Sequence, residues 1–130
     1  MSIKKPLTFV AVVALTAGAS SAMAFEPEGK MECLAPADPG GGWDFTCRSV
    51  GKVMEDLDLV PASVQTINMA GAGGGVAYAH TVSKRAGDDQ LLVAASTATT
   101  TRLAQGQFPG MNADMVNWIG ALGADYGIIA

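Results

Sequence analysis

Residues 30–57 read KMECLAPADPGGGWDFTCRSVGKVMEDL, and the change of pattern inside this stretch decides the fold. Residues 30–35 place Met31, Cys33 and Ala35 on one face of an extended segment that Pro36 and Pro39 bring to a stop. Beyond Gly40, Gly41 and Gly42 the period lengthens. Val50, Val53, Met54 and Leu57 fall at i, i+3, i+4 and i+7, the stripe of a core-facing helix. Asp44 stands where a helix N-cap belongs, since a short carboxylate accepts from the orphan N–H groups of a first turn. The unit is strand, glycine loop, helix.

The same unit recurs downstream. After Pro61, residues 64–69 form a second β-branched run, followed by the glycine cluster Gly71, Gly73, Gly74 and Gly75. A second helix is predicted from Val76 to Lys84 and Arg85, whose cations suit a helix C-terminus. Gly87, Asp88 and Asp89 make a turn, and residues 90–95 read as a third strand, apolar enough to be buried on both faces. A polar helix over residues 99–105 is a weaker expectation, because its threonines form helix poorly. Residues 118–122 and 126–130 read as two strands or one bent strand. The succession β-α-β-α-β predicts an α/β fold with a parallel sheet, whose ligands bind beyond the C-terminal ends of the strands. Both glycine clusters belong at that end. The apolar run 127–130 carries no turn, cap or polar tail, and reads as a lobe broken off within its fold.

Lys4 and Lys5, an apolar stretch over residues 7–19 and the triplet Ala22-Met23-Ala24 follow the order of a secretory signal peptide, predicted to be cleaved after Ala24; the alternative is an uncleaved membrane anchor. The apolar stretch falls short of the roughly 20 residues that span a bilayer. Removing residues 1–24 takes two of the eight basic residues and none of the twelve acidic ones, so residues 25–130 carry six against twelve, a formal charge of −6. Such a balance argues against nucleic acid, which demands a clustered basic surface, and against an anionic membrane face; with the signal cleaved, no direct membrane anchoring is expected. Any anion site must then be built locally, from backbone N–H groups and helix ends. Two cysteines behind a secretion signal, Cys33 and Cys47, are expected to pair; two buried thiols are the alternative. One histidine, His80, and no C-x-x-C spacing leave no metal set to expect.

The chemistry-bearing residues are the two loops. In the first, Gly40, Gly41 and Gly42 let a ligand approach the backbone while the following helix start presents unpaired donors. In the second, Asn68 adds a side-chain amide to Gly71, Ala72, Gly73 and Gly74. Either loop alone can be no more than a tight turn, and Trp43 either walls a ligand or packs on the first helix. Nucleotide motifs fail: Thr46 stands where a Walker loop needs its first glycine, and the G-x-G-x-x-G pattern begun at Gly71 meets Val76. Ser96 lacks a hydrolase elbow and His80 has no second histidine to work with, so neither an enzyme nor a cofactor is expected.

The string Pro39-Gly40-Gly41-x-x-Asp44-x-x-x-Arg48, followed by Asn68-x-x-Gly71-Ala72-Gly73-Gly74 and by Asp88-Asp89-Gln90-Leu91-Leu92, resembles the solute-binding proteins of tripartite tricarboxylate transporters, the Bug family. The resemblance covers nearly all of residues 30–130. It implies a two-lobed Venus flytrap holding a small organic acid, often a di- or tricarboxylate, between its lobes, and membrane transporter subunits as partners. By position, Gly40 to Gly42 and Asn68 to Gly74 would contact one carboxylate, Ser96 and Thr97 would line the cleft, and Asp125 would lie near the crossing to the second lobe. Residues 25–130 would then be an incomplete N-terminal lobe, and the protein periplasmic. Two rival readings are a small single-lobe secreted binding or interaction module, and a secreted enzyme for which no reacting pair is found.

Overall fold

The computed structural model describes residues 27–124, so the signal segment, Asp125 and the run 126–130 lie outside the described residues. Three strands, β1 (Glu32–Ala35), β2 (Gln65–Asn68) and β3 (Leu91–Val93), alternate with three helices, α1 (Gly42–Asp56), α2 (Gly75–Lys84) and α3 (Thr97–Ala104). Short 3₁₀ turns at Ala72–Gly74 and Ala113–Met115 complete the order. The fold is α/β with an open, fully parallel sheet of order β2-β1-β3. The chain leaves β1 for one flank and returns past it to β3 on the other. Cys33 lies beside Thr66 and Leu92, and Leu34 beside Ile67 and Val93, so all three strands end at the same edge.

Residues 90–95 do not form the doubly buried strand that their apolar run predicts. Leu91, Leu92 and Val93 are half-buried, and the fully covered position belongs to β1, where Cys33, Leu34 and Ala35 are all buried. Position explains the exchange. A strand with a neighbour on each side is covered by the helices of both crossovers, whereas β3 meets only β1 among the described residues.

Helix α1 also turns a different face inward than its apolar stripe predicts. Its buried residues are Asp44, Cys47 and Gly51, while Val53 and Leu57 are 54% and 62% exposed. Two local constraints outweigh the stripe. Cys47 is bonded to Cys33 of β1, with Cα atoms 5.5 Å apart. Gly51 rides so close to the start of β2 that a Cβ there would sit 3.0 Å from the Cβ of Val64. Rotating Val53 and Leu57 inward would break both contacts.

One core cluster joins Cys33, Ala35, Cys47 and Ala94, with Trp43, Val64 and Leu92 against it. A second joins Tyr78 of α2 to Leu103 of α3 and to Phe108, with Val82, Met111 and Val116 around them. There the Tyr78 and Phe108 rings stack with centroids 6.2 Å apart, and the Tyr78 hydroxyl donates to the Asn112 carbonyl at 2.6 Å. Burial pushes that hydroxyl's pKa up.

The strand predicted over residues 118–122 is absent: residues 117–124 carry no regular element, and Ile119 and Leu122 are 82% and 76% exposed. Trp118 is held instead by its own ring N–H, which donates to the Ala113 carbonyl. An extended segment becomes a strand only when a neighbour takes its backbone groups, and no described strand lies alongside. Helix α3 begins two residues before its predicted start, because Ser96 caps it. The Ser96 hydroxyl accepts from Ala98 N–H, and Thr99 Oγ1 accepts from Ser96 N–H.

Candidate functional site

All three strands deliver their following loops to one edge of the sheet. The loop after β1 runs from Pro36 to Gly41, the loop after β2 from Met69 to Gly74, and β3 leads through Ala94 to Ser96. Gly40, Gly42, Gly71, Ala72 and Gly73 are exposed there, and so are Ser96 and Thr97.

Asp44 organises the first loop, though not as the cap residue. Gly41 is the N-cap of α1, and Asp44 is the third helical residue. From the first turn its carboxylate reaches back, and Oδ2 accepts from Gly40 N–H and from Arg48 Nε, each at 2.9 Å. Gly41 has no side chain with which to cap, and the Asp44 carboxylate binds the loop at Gly40 without taking a first-turn N–H group of the helix. Oδ1 accepts from Asn68 Nδ2 at 2.9 Å, and the same amide nitrogen donates to the Ala37 carbonyl at 3.0 Å. Asn68 therefore ties the end of β2 to the first loop and to α1. The Arg48 guanidinium first, then Gly40 N–H, then the Asn68 amide hold the Asp44 carboxyl far below the usual carboxylate range.

A carboxyl whose pKa is depressed in the fold contributes stability above its unfolded pKa, and that contribution is lost as pH falls through the ordinary range toward the folded value. Urea midpoints of the native chain should therefore drop between about pH 6 and about pH 2 more steeply than those of Asp44→Asn, which has no proton to take up. Parallel slopes for the two proteins would remove Asp44 from the acid response. Asp88, lowered by Arg85 and by Gln90 N–H, contributes equally to both curves.

The second loop is shaped by backbone that side chains resist. Ala72, Gly73 and Gly74 have φ of +47°, +59° and +97° in succession, and the last reverses into the first turn of α2. A Cβ on Gly74 would lie 3.5 Å from the Trp43 ring, so the aromatic side chain at the start of α1 reaches the second loop. Trp43 is half-buried and packs on the first core cluster as well. From the third unit, Arg102 Nη1 donates to the Gly73 carbonyl at 2.8 Å.

Several backbone donors in the loops already have partners. Gly40 N–H goes to Asp44, Gly41 N–H to the Asp38 carbonyl, and Gly74 N–H to the Gly71 carbonyl. The first intrahelical bond of α1 is donated by Phe45, so the N–H groups of Gly42 and Trp43 lack intrahelical acceptors, as do those of the first turn of α2 beyond Gly75, whose own N–H donates to the Ala72 carbonyl. Asn68 and Ser96 have structural partners of their own, while Thr97 extends into solvent at the start of α3. A shallow depression of about 260 Å³, lined by Arg48, Lys52, Glu55, Val64 and Thr66, lies between α1 and β2, and none of the glycine-loop residues lines it. Among the described residues no group of His, Cys, Asp and Glu side chains could hold a metal ion, and no helix is long and apolar enough to cross a membrane.

Arg102 was not legible as a site residue, since it stands alone in a polar helix with no motif around it. Its only signal in the sequence is a cation placed one helix after the third strand. The chain matches no family model, no curated protein and no solved structure.

Proposed function

We propose that residues 25–130 form the N-terminal lobe of a periplasmic solute-binding protein of the two-lobed, Venus-flytrap kind. In this reading the lobe captures a small organic carboxylate, a di- or tricarboxylate above all, for the membrane subunits of a tripartite tricarboxylate-type transporter. The observation that carries the reading is the meeting of the three βα loops at one sheet edge, with Asn68 joining the first two and Arg102 reaching the second from the third unit. Open parallel sheets take their ligands at that edge. Supporting it are the signal-like N-terminus, a disulfide compatible with an oxidising compartment, and the spacing of the two glycine motifs. In this reading the role is binding without turnover.

The donors offered to a carboxylate are the N–H groups of Gly42 and Trp43 on one side and those of the first turn of α2 beyond Gly75 on the other. One lobe supplies one wall of a cleft, whereas a closed pocket buries about 70% or more of its ligand, so this lobe by itself binds weakly. A ¹⁵N NMR titration of the full chain with citrate, succinate and benzoate, at matched ionic strength against chloride, tests the reading. Saturable, millimolar-range shifts should concentrate at the amides of Gly42, Trp43, Gly73 to Val76, Ser96 and Thr97. Shifts spread over the surface cations, or none with any acid, would overturn it.

A further inference from the structure

Arg102 is an arginine whose place is fixed but whose charge is unanswered. Its Nη1 is held at 2.8 Å by the Gly73 carbonyl, and the guanidinium lies so close over the loop that any Cβ at Gly73 would overlap it. The other two described arginines are paired with acids, Arg48 with Asp44 and Arg85 with Glu32 and Asp88. Arg102 has no carboxylate partner among the described residues. A guanidinium carries five N–H donors in a planar fork, and one contact to a neutral carbonyl leaves most of that fork open. It stands at the sheet edge where the three loops meet, in a protein whose overall charge is negative.

We infer that Arg102 is a ligand-contacting residue, held in place by the Gly73 carbonyl, that pairs with an ionised carboxylate of the solute and makes the site select acids over their neutral amides. The inference rests on the carboxylate reading of this edge and adds the side chain that recognises the charge. Loop amides accept a carboxylate and an amide carbonyl alike, because both present lone pairs to an N–H. An arginine fork discriminates, since its two parallel N–H donors and its full charge match a carboxylate and not an amide. The substrate class is thus an anion with at least one carboxylate free to meet a guanidinium.

The test compares succinate with succinamide, its neutral diamide, on the native full chain, Arg102→Gln and Arg102→Lys, with dissociation constants read from NMR shifts of the Gly73 to Val76 amides. The native chain should prefer succinate. Arg102→Gln should weaken succinate by about tenfold, the size of a charge-assisted contact, while changing succinamide by no more than about twofold. Arg102→Lys, which keeps the charge and loses the fork, should fall between. A purely structural role for Arg102 would weaken both ligands together, and that result overturns the inference, as does an Arg102→Gln chain that binds both as the native chain does. Those outcomes leave the carboxylate site standing. A native chain that responds to no acid overturns the site and Arg102 with it.

Discussion

Replacing Cys33 and Cys47 together by serine should cost about 3 kcal/mol of stability, lowering the urea midpoint by about 2 M for a chain of this size. The bridge closes a loop with a sequence separation of 14, and a cross-link of that span removes roughly that much chain entropy from the unfolded state. Native-state geometry adds to the effect. Cys47 is completely buried and Cys33 nearly so, and the two hydroxyls that replace the bridge would enter an apolar cluster with Ala35 and Ala94, where the only side-chain polar partner either meets is the other. Equilibrium urea unfolding followed by circular dichroism, on the oxidised chain, the reduced chain and the double variant, checks this. Coincident curves for oxidised and reduced protein would sink it. The loss reaches the site as well, because the bridge holds the first half of α1 against β1, and with it Trp43 and the Asp44 carboxylate. Amide signals of Gly40 to Asp44 should broaden on reduction.

Leu34→Ala should cost about 2–5 kcal/mol, comparable with removing the bridge and against a total stability that is small for so short a chain. Leu34 is 2% exposed, at the centre of the central strand, with Ile67 and Val93 beside it in register. Strand alternation puts it on the opposite face from Cys33 and Ala35, so the cavity opens away from the disulfide. The disulfide therefore cannot compensate for it. Leu34→Met, which conserves volume, should cost less than about 1.5 kcal/mol. Urea unfolding of the three proteins at equal slope is the measurement. An alanine variant within about 0.5 kcal/mol of the native chain would show that the two faces of β1 do not form the core described.

How much of the fold was readable beforehand depends on the range of the forces involved. The alternation of strand, glycine loop and helix is written locally, in proline stops, glycine runs and the change of apolar period, and so the parallel α/β class could be derived from residues near one another. The loops' meeting at one edge follows from that class alone, since parallel strands all end on the same side.

What the residues could not disclose was competition between distant partners. Which face of α1 turns inward was settled by Cys33 and Val64, from other elements, against the helix's own apolar stripe. Which strand is fully buried was settled by sheet order, a property no single strand carries. Asp44 looks like a cap from its neighbours, yet its carboxylate answers to Gly40, Arg48 and, from 24 residues away, Asn68. Arg102 gained its place only when α3 folded back over Gly73. The sequence by itself determined the class of fold and the edge of the sheet at which the loops meet, because propensity and period act over a few residues. Only the tertiary structure decided which donors are already engaged and which charge is left unpaired, because those depend on contacts between segments that are far apart along the chain.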